Sequence, residues 1–166
     1  MTRLILIRHA ESGWDDPTAD DHARVLTPRG RNEATAIGDW LAHSGYLPDV
    51  ILSSDAARTI ETTELVINAL KSQTPVVLAQ MLYHASPDTI AEQVDARAEG
   101  VIAVVAHNPG ICMLADGLLV KRPAHRRFAD YPPCATTVID FDGPIRPNCG
   151  TIMEFVVPKD LDTTLF

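Results

Sequence analysis

Residues 4–12 read LILIRHAES. Four consecutive apolar residues, with no polar residue alternating between them, describe a strand covered on both faces, the habit of a parallel sheet. The run then ends in two costly polar side chains, Arg8 and His9. In an open parallel sheet, ligands bind beyond the carboxyl ends of the strands. One short stretch therefore carries both a core strand and a candidate site.

Three more apolar runs share this character: DVILS (49–53), PVVLA (75–79) and VIAVVA (101–106). Each of the four is followed by residues with helical spacing. LTPRG (26–30) offers Thr27 as an N-cap and Pro28 at the first helical position, with Ala34, Ile37 and Leu41 facing inward and Gly45 as the stop. Ser54 is the expected cap of a second helix with the inner stripe Ala56, Ile60, Thr63, Ile67 and Leu70. A third helix carries Ile90, Val94 and Ala98 before Gly100, and a fourth carries Ile111, Leu114, Ala115 and Leu118. Two β-rich runs, ATTVIDFD (135–142) and TIMEFVV (151–157), flank the turn-forming GPIRPNCG and pair as a closing hairpin. The order β-α-β-α-β-α-β-α-β-β predicts a three-layer α/β/α sandwich with a mostly parallel sheet and an antiparallel C-terminal hairpin strand. At 166 residues the expectation is a single domain over 1–166.

Hydrophobic residues at 46% and charged residues at 22% suit a globular chain. A formal charge of -8 argues against general nucleic-acid binding, which needs basic excess, although an acidic protein can still hold one small phosphate in a basic pocket. The opening residues lack the features of a signal peptide and no run reaches membrane-spanning length. A cytoplasmic protein with neither nucleic acid nor membrane as partner is expected. Cys112, Cys134 and Cys149 are odd in number and widely spaced, and read as buried reduced thiols outside the site.

Polar clusters follow all four predicted parallel strands: Arg8 and His9, Ser54 and Arg58, Tyr83 and His84, His107 and Asn108. Guanidinium groups present a planar fork that matches phosphate oxygens and stay charged when desolvated. At a separation of ~6 Å and an effective dielectric of ~20, each arginine would cost a nearby imidazolium roughly 3 kcal/mol. His9 should then be neutral, with the acidic limb of kcat/KM below the ~6.5 of a free histidine. A neutral imidazole is a competent nucleophile, and attack on phosphorus would give a phosphohistidine that water later hydrolyses. Arg8, Arg58 and His107 would stabilise the equatorial oxygens. His22, His43 and His125 lack ligand spacing and there is no P-loop, so neither metal nor cofactor is expected. The basic run KRPAHRRF (121–128) reads either as a solvated turn or as a docking surface for an acidic substrate protein.

LIRHAES resembles the R-H-G/A signature of the histidine phosphatase superfamily, whose fold is that of the phosphoglycerate mutases. SSDAARTIETTE (53–64) resembles its second-arginine block, S-P-x-x-R-x-x-x-T, and VVAHNPGI (104–111) is similar to the second-histidine block of the small phosphohistidine phosphatases, the SixA-like subgroup. RVLTPRG and YPPCATTVIDFD also resemble stretches of that subgroup. The resemblance implies His9 as nucleophile, Arg8 and Arg58 as phosphate ligands, His107 as the second catalytic histidine, and Arg24 as a further phosphate contact. It departs at Asp55, which stands where the family has proline and brings a negative charge near the pocket.

Leaving-group chemistry bears on the substrate. An alkoxide leaving group needs a proton donor, whereas phosphohistidine can release a neutral imidazole once its other ring nitrogen is protonated. Asp88 and Glu11 are the candidate donors, neither with a clear family match, and Asp88 beside Pro87 also suits the first turn of a helix. The expected function is hydrolysis of protein phosphohistidine through a covalent intermediate on His9, with a phosphohistidine-bearing protein as partner. The alternatives are a small-molecule phosphomonoesterase of the same superfamily and a catalytically silent phosphate-binding module.

Overall fold

In the computed structural model, which describes residues 1–161, the parallel runs become strands and the spacing between them becomes helices. The order is β1 (Thr2–Arg8), α1 (Pro28–Ser44), β2 (Val50–Ser53), α2 (Ala57–Leu70), β3 (Val76–Leu78), α3 (Pro87–Asp95), β4 (Val101–Ala106), α4 (Gly110–Leu118), β5 (Thr136–Phe141) and β6 (Thr151–Val156). A 3-10 turn, Asp21–Ala23, precedes α1. One six-stranded sheet has the order β3-β2-β4-β1-β5-β6. β1 pairs parallel with β4 and antiparallel with β5, and β5 pairs antiparallel with β6. The α/β sandwich and its closing hairpin are as expected.

β1 shows why the run is apolar without alternation. Leu4 and Leu6 pack with Ile90, Ile111 and Leu114 of α3 and α4, whereas Ile5 and Ile7 pack with Ala34, Ile37, Leu41 and Val66 of α1 and α2. Alternate side chains of a strand point to opposite faces, so a central strand sandwiched by helices must be apolar at every position. Helix α1 starts as predicted: the Thr27 hydroxyl accepts from the Gly30 N–H, Pro28 opens the first turn, and Gly45 ends the helix with φ 75°.

Five expectations need correction. Ser54 does not cap α2; the N-cap is Ala56, and the Ser54 hydroxyl is engaged in the site described below. The inner stripe of α2 is Thr59, Thr62, Thr63, Val66 and Leu70, while Ile60 and Ile67 are only half-buried. Its three threonines turn inward because their hydroxyls bond to Ser54 O, Arg58 O and Ser53 Oγ, which removes the cost of burying them. β3 is an exposed edge strand rather than a covered one, with Leu78 53% exposed. Ala98 lies beyond the end of α3. Of the cysteines only Cys134 is buried; Cys112 is half-buried and Cys149 exposed.

Helices α1 and α2 approach closely at Gly38, where an added Cβ would lie 2.6 Å from the Ala69 Cβ and 2.7 Å from the Val66 carbonyl oxygen. Gly38→Ala should therefore lower stability by about 1–3 kcal/mol through overpacking. Denaturant unfolding measures this, and a variant as stable as the parent would contradict so close a helix contact.

Candidate active site

Sheet register brings the two histidines together. Arg8 pairs with Ala106 across β1 and β4, and the His9 N–H donates to the Ala106 carbonyl at 3.1 Å. β2 ends alongside, Ser53 opposite Val105, and the Ser54 N–H donates to the Val105 carbonyl. His9, Ser54 and His107 thus leave three adjacent strand ends side by side. The two imidazole rings lie 5.2 Å apart between centroids, and His107 Nε2 is 2.8 Å from Ser54 Oγ.

The orientation of His9 follows from one contact. Its Nδ1 is 2.7 Å from the carbonyl oxygen of Ala10. A carbonyl only accepts, so Nδ1 carries the proton and the neutral ring keeps its lone pair on Nε2. The Ala10 N–H is in turn bonded to Thr62 Oγ1, whose hydroxyl donates to the Arg58 carbonyl. Thr62, one turn after Arg58, so ties the histidine loop to the arginine helix. It occupies the last position of the S-x-x-x-R-x-x-x-T spacing, the only sequence signal for that link.

Arg58 is 1% exposed, and its guanidinium donates to the Asp21 carbonyl at 2.7 Å and to Asp21 Oδ2 at 3.0 Å. Arg24 donates through Nε and Nη2 to Asp21 Oδ1 and through Nη1 to Ser12 Oγ. Tyr83 and His84 also bind Asp21 Oδ2. Asp21 is therefore the hub of the cationic side of the site, and sequence reading missed it because its partners lie up to 63 positions away. The hydrogen bond from Tyr83 above all, with those from His84, Arg58 and Arg24, holds its carboxyl far below the usual carboxylate range. Arg8 is fixed from the other side, donating to the Tyr131 carbonyl, which also accepts from Asn108 Nδ2.

A pocket of about 330 Å³ is lined by Arg8, His9, Glu11, Ser12, Trp14, Arg24, Arg58, His84, His107, Asn108 and Pro133. All the predicted site residues meet there except Asp88. That carboxylate stands in the first turn of α3 and lines a separate groove with Glu92, Pro144 and Arg146. Glu11 is in the pocket, with its carboxylate accepting from Thr27 Oγ1. Asp55 does not line it and is paired with His22 at 3.0 Å. The basic run is partly neutralised, Arg122 by Asp116 and Arg127 by Asp130.

Among the described residues, the buried side-chain polar atoms without a hydrogen-bond partner are Arg8 Nε, Arg58 Nε, His107 Nδ1 and Asn108 Oδ1. All four belong to residues lining this pocket. Buried polar atoms are rarely left unpaired, and three nitrogens gathered on arginines and a histidine suit an anionic ligand.

Residues 4–83 match the family model of the histidine phosphatase superfamily, branch 1. An uncharacterized protein of Mycobacterium leprae is 35% identical over 166 residues, spanning 92% of this chain and all of that one. The chain belongs to the histidine phosphatase superfamily. A crystal structure from Agrobacterium tumefaciens described as a SixA phosphohistidine phosphatase superposes with a TM-score of 0.80 at 28% identity, covering 95% of this chain and 98% of that one. A chloroplastic Arabidopsis thaliana protein, also uncharacterized, is 52% identical over 60 residues, 36% of this chain and 28% of its own length. The protein is thus a histidine-superfamily phosphatase with a SixA-like fold.

Both site histidines are held neutral chiefly by burial, and the arginine repulsion expected from the sequence adds to it. Burial is the leading cause that pushes His9 from 6.5 down to about 3; Arg8, Arg58 and Arg24 add to it, and the Ala10 hydrogen bond opposes it. His107 is lowered to about 3 in the same way, by burial first and then by His9 and Arg58. The sign for stability follows from the lowered values. Between about 6.5 and about 3 the unfolded chain binds protons that the folded chain refuses, so these histidines make stability fall as pH falls through that window. Ring-nitrogen NMR should find His9 neutral with its proton on Nδ1 at pH 6, and unfolding free energy should decline from pH 6.5 toward 4. An imidazolium signal from His9 at pH 6 would overturn the burial assignment.

Proposed function

We propose that the protein hydrolyses the phosphoryl group of protein phosphohistidine through a covalent intermediate on His9. The observation that carries this reading is the His9 ring itself: held by Nδ1 on the Ala10 carbonyl and unprotonated at Nε2, in a pocket where the buried nitrogens without a partner, among the described residues, are those of Arg8, Arg58 and His107. Likeness to a structure described as a phosphohistidine phosphatase supports the choice of substrate.

In the first step His9 Nε2 forms a bond to phosphorus as the bond from phosphorus to the substrate ring nitrogen breaks. The electron pair stays on that nitrogen, and a substrate ring protonated at its other nitrogen departs as neutral imidazole. His9 becomes a phosphorylated imidazolium, and its Nδ1–H···O contact to Ala10 strengthens as positive charge develops. Water then attacks phosphorus on the opposite side and the pair returns to Nε2. Arg8, Arg58 and Arg24 hold the equatorial oxygens, and His107, steadied by Ser54, offers its Nδ1 side to the same group.

The donor question narrows. Asp21 is the carboxylate most tightly bound to the site's cations, and a group held ionised by so many donors is a poor acid. Asp21 instead positions Arg58 and Arg24. Glu11, which lines the pocket, is the observation that favours the second reading, a small-molecule phosphomonoesterase in which this residue protonates the leaving oxygen.

Quenching the protein after exposure to a labelled phosphodonor should yield an acid-labile, base-stable adduct that is lost in His9→Ala. Bound phosphate with neither adduct nor hydrolysis would instead support a silent binding module. Rapid hydrolysis of alkyl phosphates that disappears in Glu11→Gln would favour the phosphomonoesterase. In Asp21→Asn, KM for any phosphoryl substrate should rise roughly tenfold, the scale of one charge-assisted hydrogen bond, while the His9 adduct still forms. An unchanged KM would remove Asp21 from the positioning role.

A further inference from the structure

Trp14 stands at the mouth of the pocket and is 68% exposed. It belongs to neither core cluster, so the fold does not need its bulk for packing. Yet its ring is not free to wander: the Arg24 guanidinium carbon lies 3.7 Å from the ring centroid, a close cation–π stack. Arg24 is itself held by two bonds to Asp21 Oδ1 and one to Ser12 Oγ. A planar cation fixed by three hydrogen bonds therefore sets the tilt of the indole and leaves the rest of the ring in the open.

In-line transfer dictates where the leaving group goes. With His9 Nε2 attacking from the floor, the departing atom must lie on the far side of phosphorus, toward the mouth. His9, His107 and Arg58 are the buried part of the pocket lining, whereas Trp14 is exposed, so its ring is placed to meet the remainder of the substrate. An indole ring presented there meets a planar ring with far more dispersion and quadrupole contact than it can offer a short alkyl group. We propose that Trp14 is a specificity-determining residue that stacks on the planar ring of the leaving group, selecting a phosphoryl carried on an aromatic ring, as in phosphohistidine, over one carried on an alkyl oxygen. The assignment rests on the pocket being the phosphoryl site and deepens that reading by naming what recognises the group attached to phosphorus.

Non-hydrolysable probes separate this role from catalysis. Phenylphosphonate and methylphosphonate would be titrated by calorimetry into the parent, Trp14→Ala and Trp14→Phe. The preference for phenyl over methyl should fall by about 3- to 10-fold in Trp14→Ala, the range expected for one aromatic contact, and persist in Trp14→Phe. Equal weakening of both ligands would mean that Trp14 only steadies Arg24, and the specificity role would be overturned, as it would by a preference that does not change. If neither phosphonate binds the parent, the phosphoryl-site reading fails and takes this one with it; binding with an unaltered preference sinks the Trp14 role alone.

Discussion

Everything at the site depends on the register between β1 and β4. Both strands are buried on both faces, so the apolar run does not by itself choose which side chain faces which helix layer. Polar contacts at the two ends supply what patterning lacks. At the start, Arg3 forms a bidentate pair with Asp140 on β5 and its N–H bonds to the Gly100 carbonyl. Near the end, Arg8 reaches the Tyr131 carbonyl, and the buried Tyr131 hydroxyl donates to Leu6 O. A slip of one residue would break these bonds together and carry His9 away from His107.

The same economy governs charge. A guanidinium that is 1% exposed needs an anion close by, because an unpaired buried charge is among the costliest defects a fold can carry. Asp21 meets that need for Arg58 and restrains Arg24, while Arg58 Nε is left without a partner. Neutral histidines complete the balance. Burial first, with repulsion by the arginines adding to it, keeps them uncharged.

The parts of this arrangement that were legible in the sequence share a cause: each is a local pattern. Continuous apolar runs marked β1, β2 and β4, the Thr27–Pro28 pair marked the start of α1, and polar residues at strand ends marked Arg8, His9, Arg58 and His107. What stayed hidden depends on distant partners. The run PVVLA looks like a covered strand, yet edge position is a property of sheet order that no five residues encode. Ser54 looks like a helix cap until His107, 53 residues later, is brought against it. Thr63 falls on the expected inner stripe of α2, but Thr59 and Thr62 do not, because apolar spacing does not register hydroxyls whose acceptors, the Ser54 and Arg58 carbonyls, are supplied by the folded backbone. Asp88 is a candidate proton donor by sequence, but its place in the first turn of α3 puts it in another groove.

β3 has one more consequence. It closes the sheet at one side with Val76, Val77 and Leu78, all apolar and partly open to water. A long edge of that composition would template pairing with a neighbouring chain and seed aggregation, which many proteins prevent with lysine or proline placed within the strand. Here the strand is three residues long and follows directly on Pro75. Brevity is the safeguard: an intruding strand finds too few free backbone groups to repay the entropy of being immobilised there.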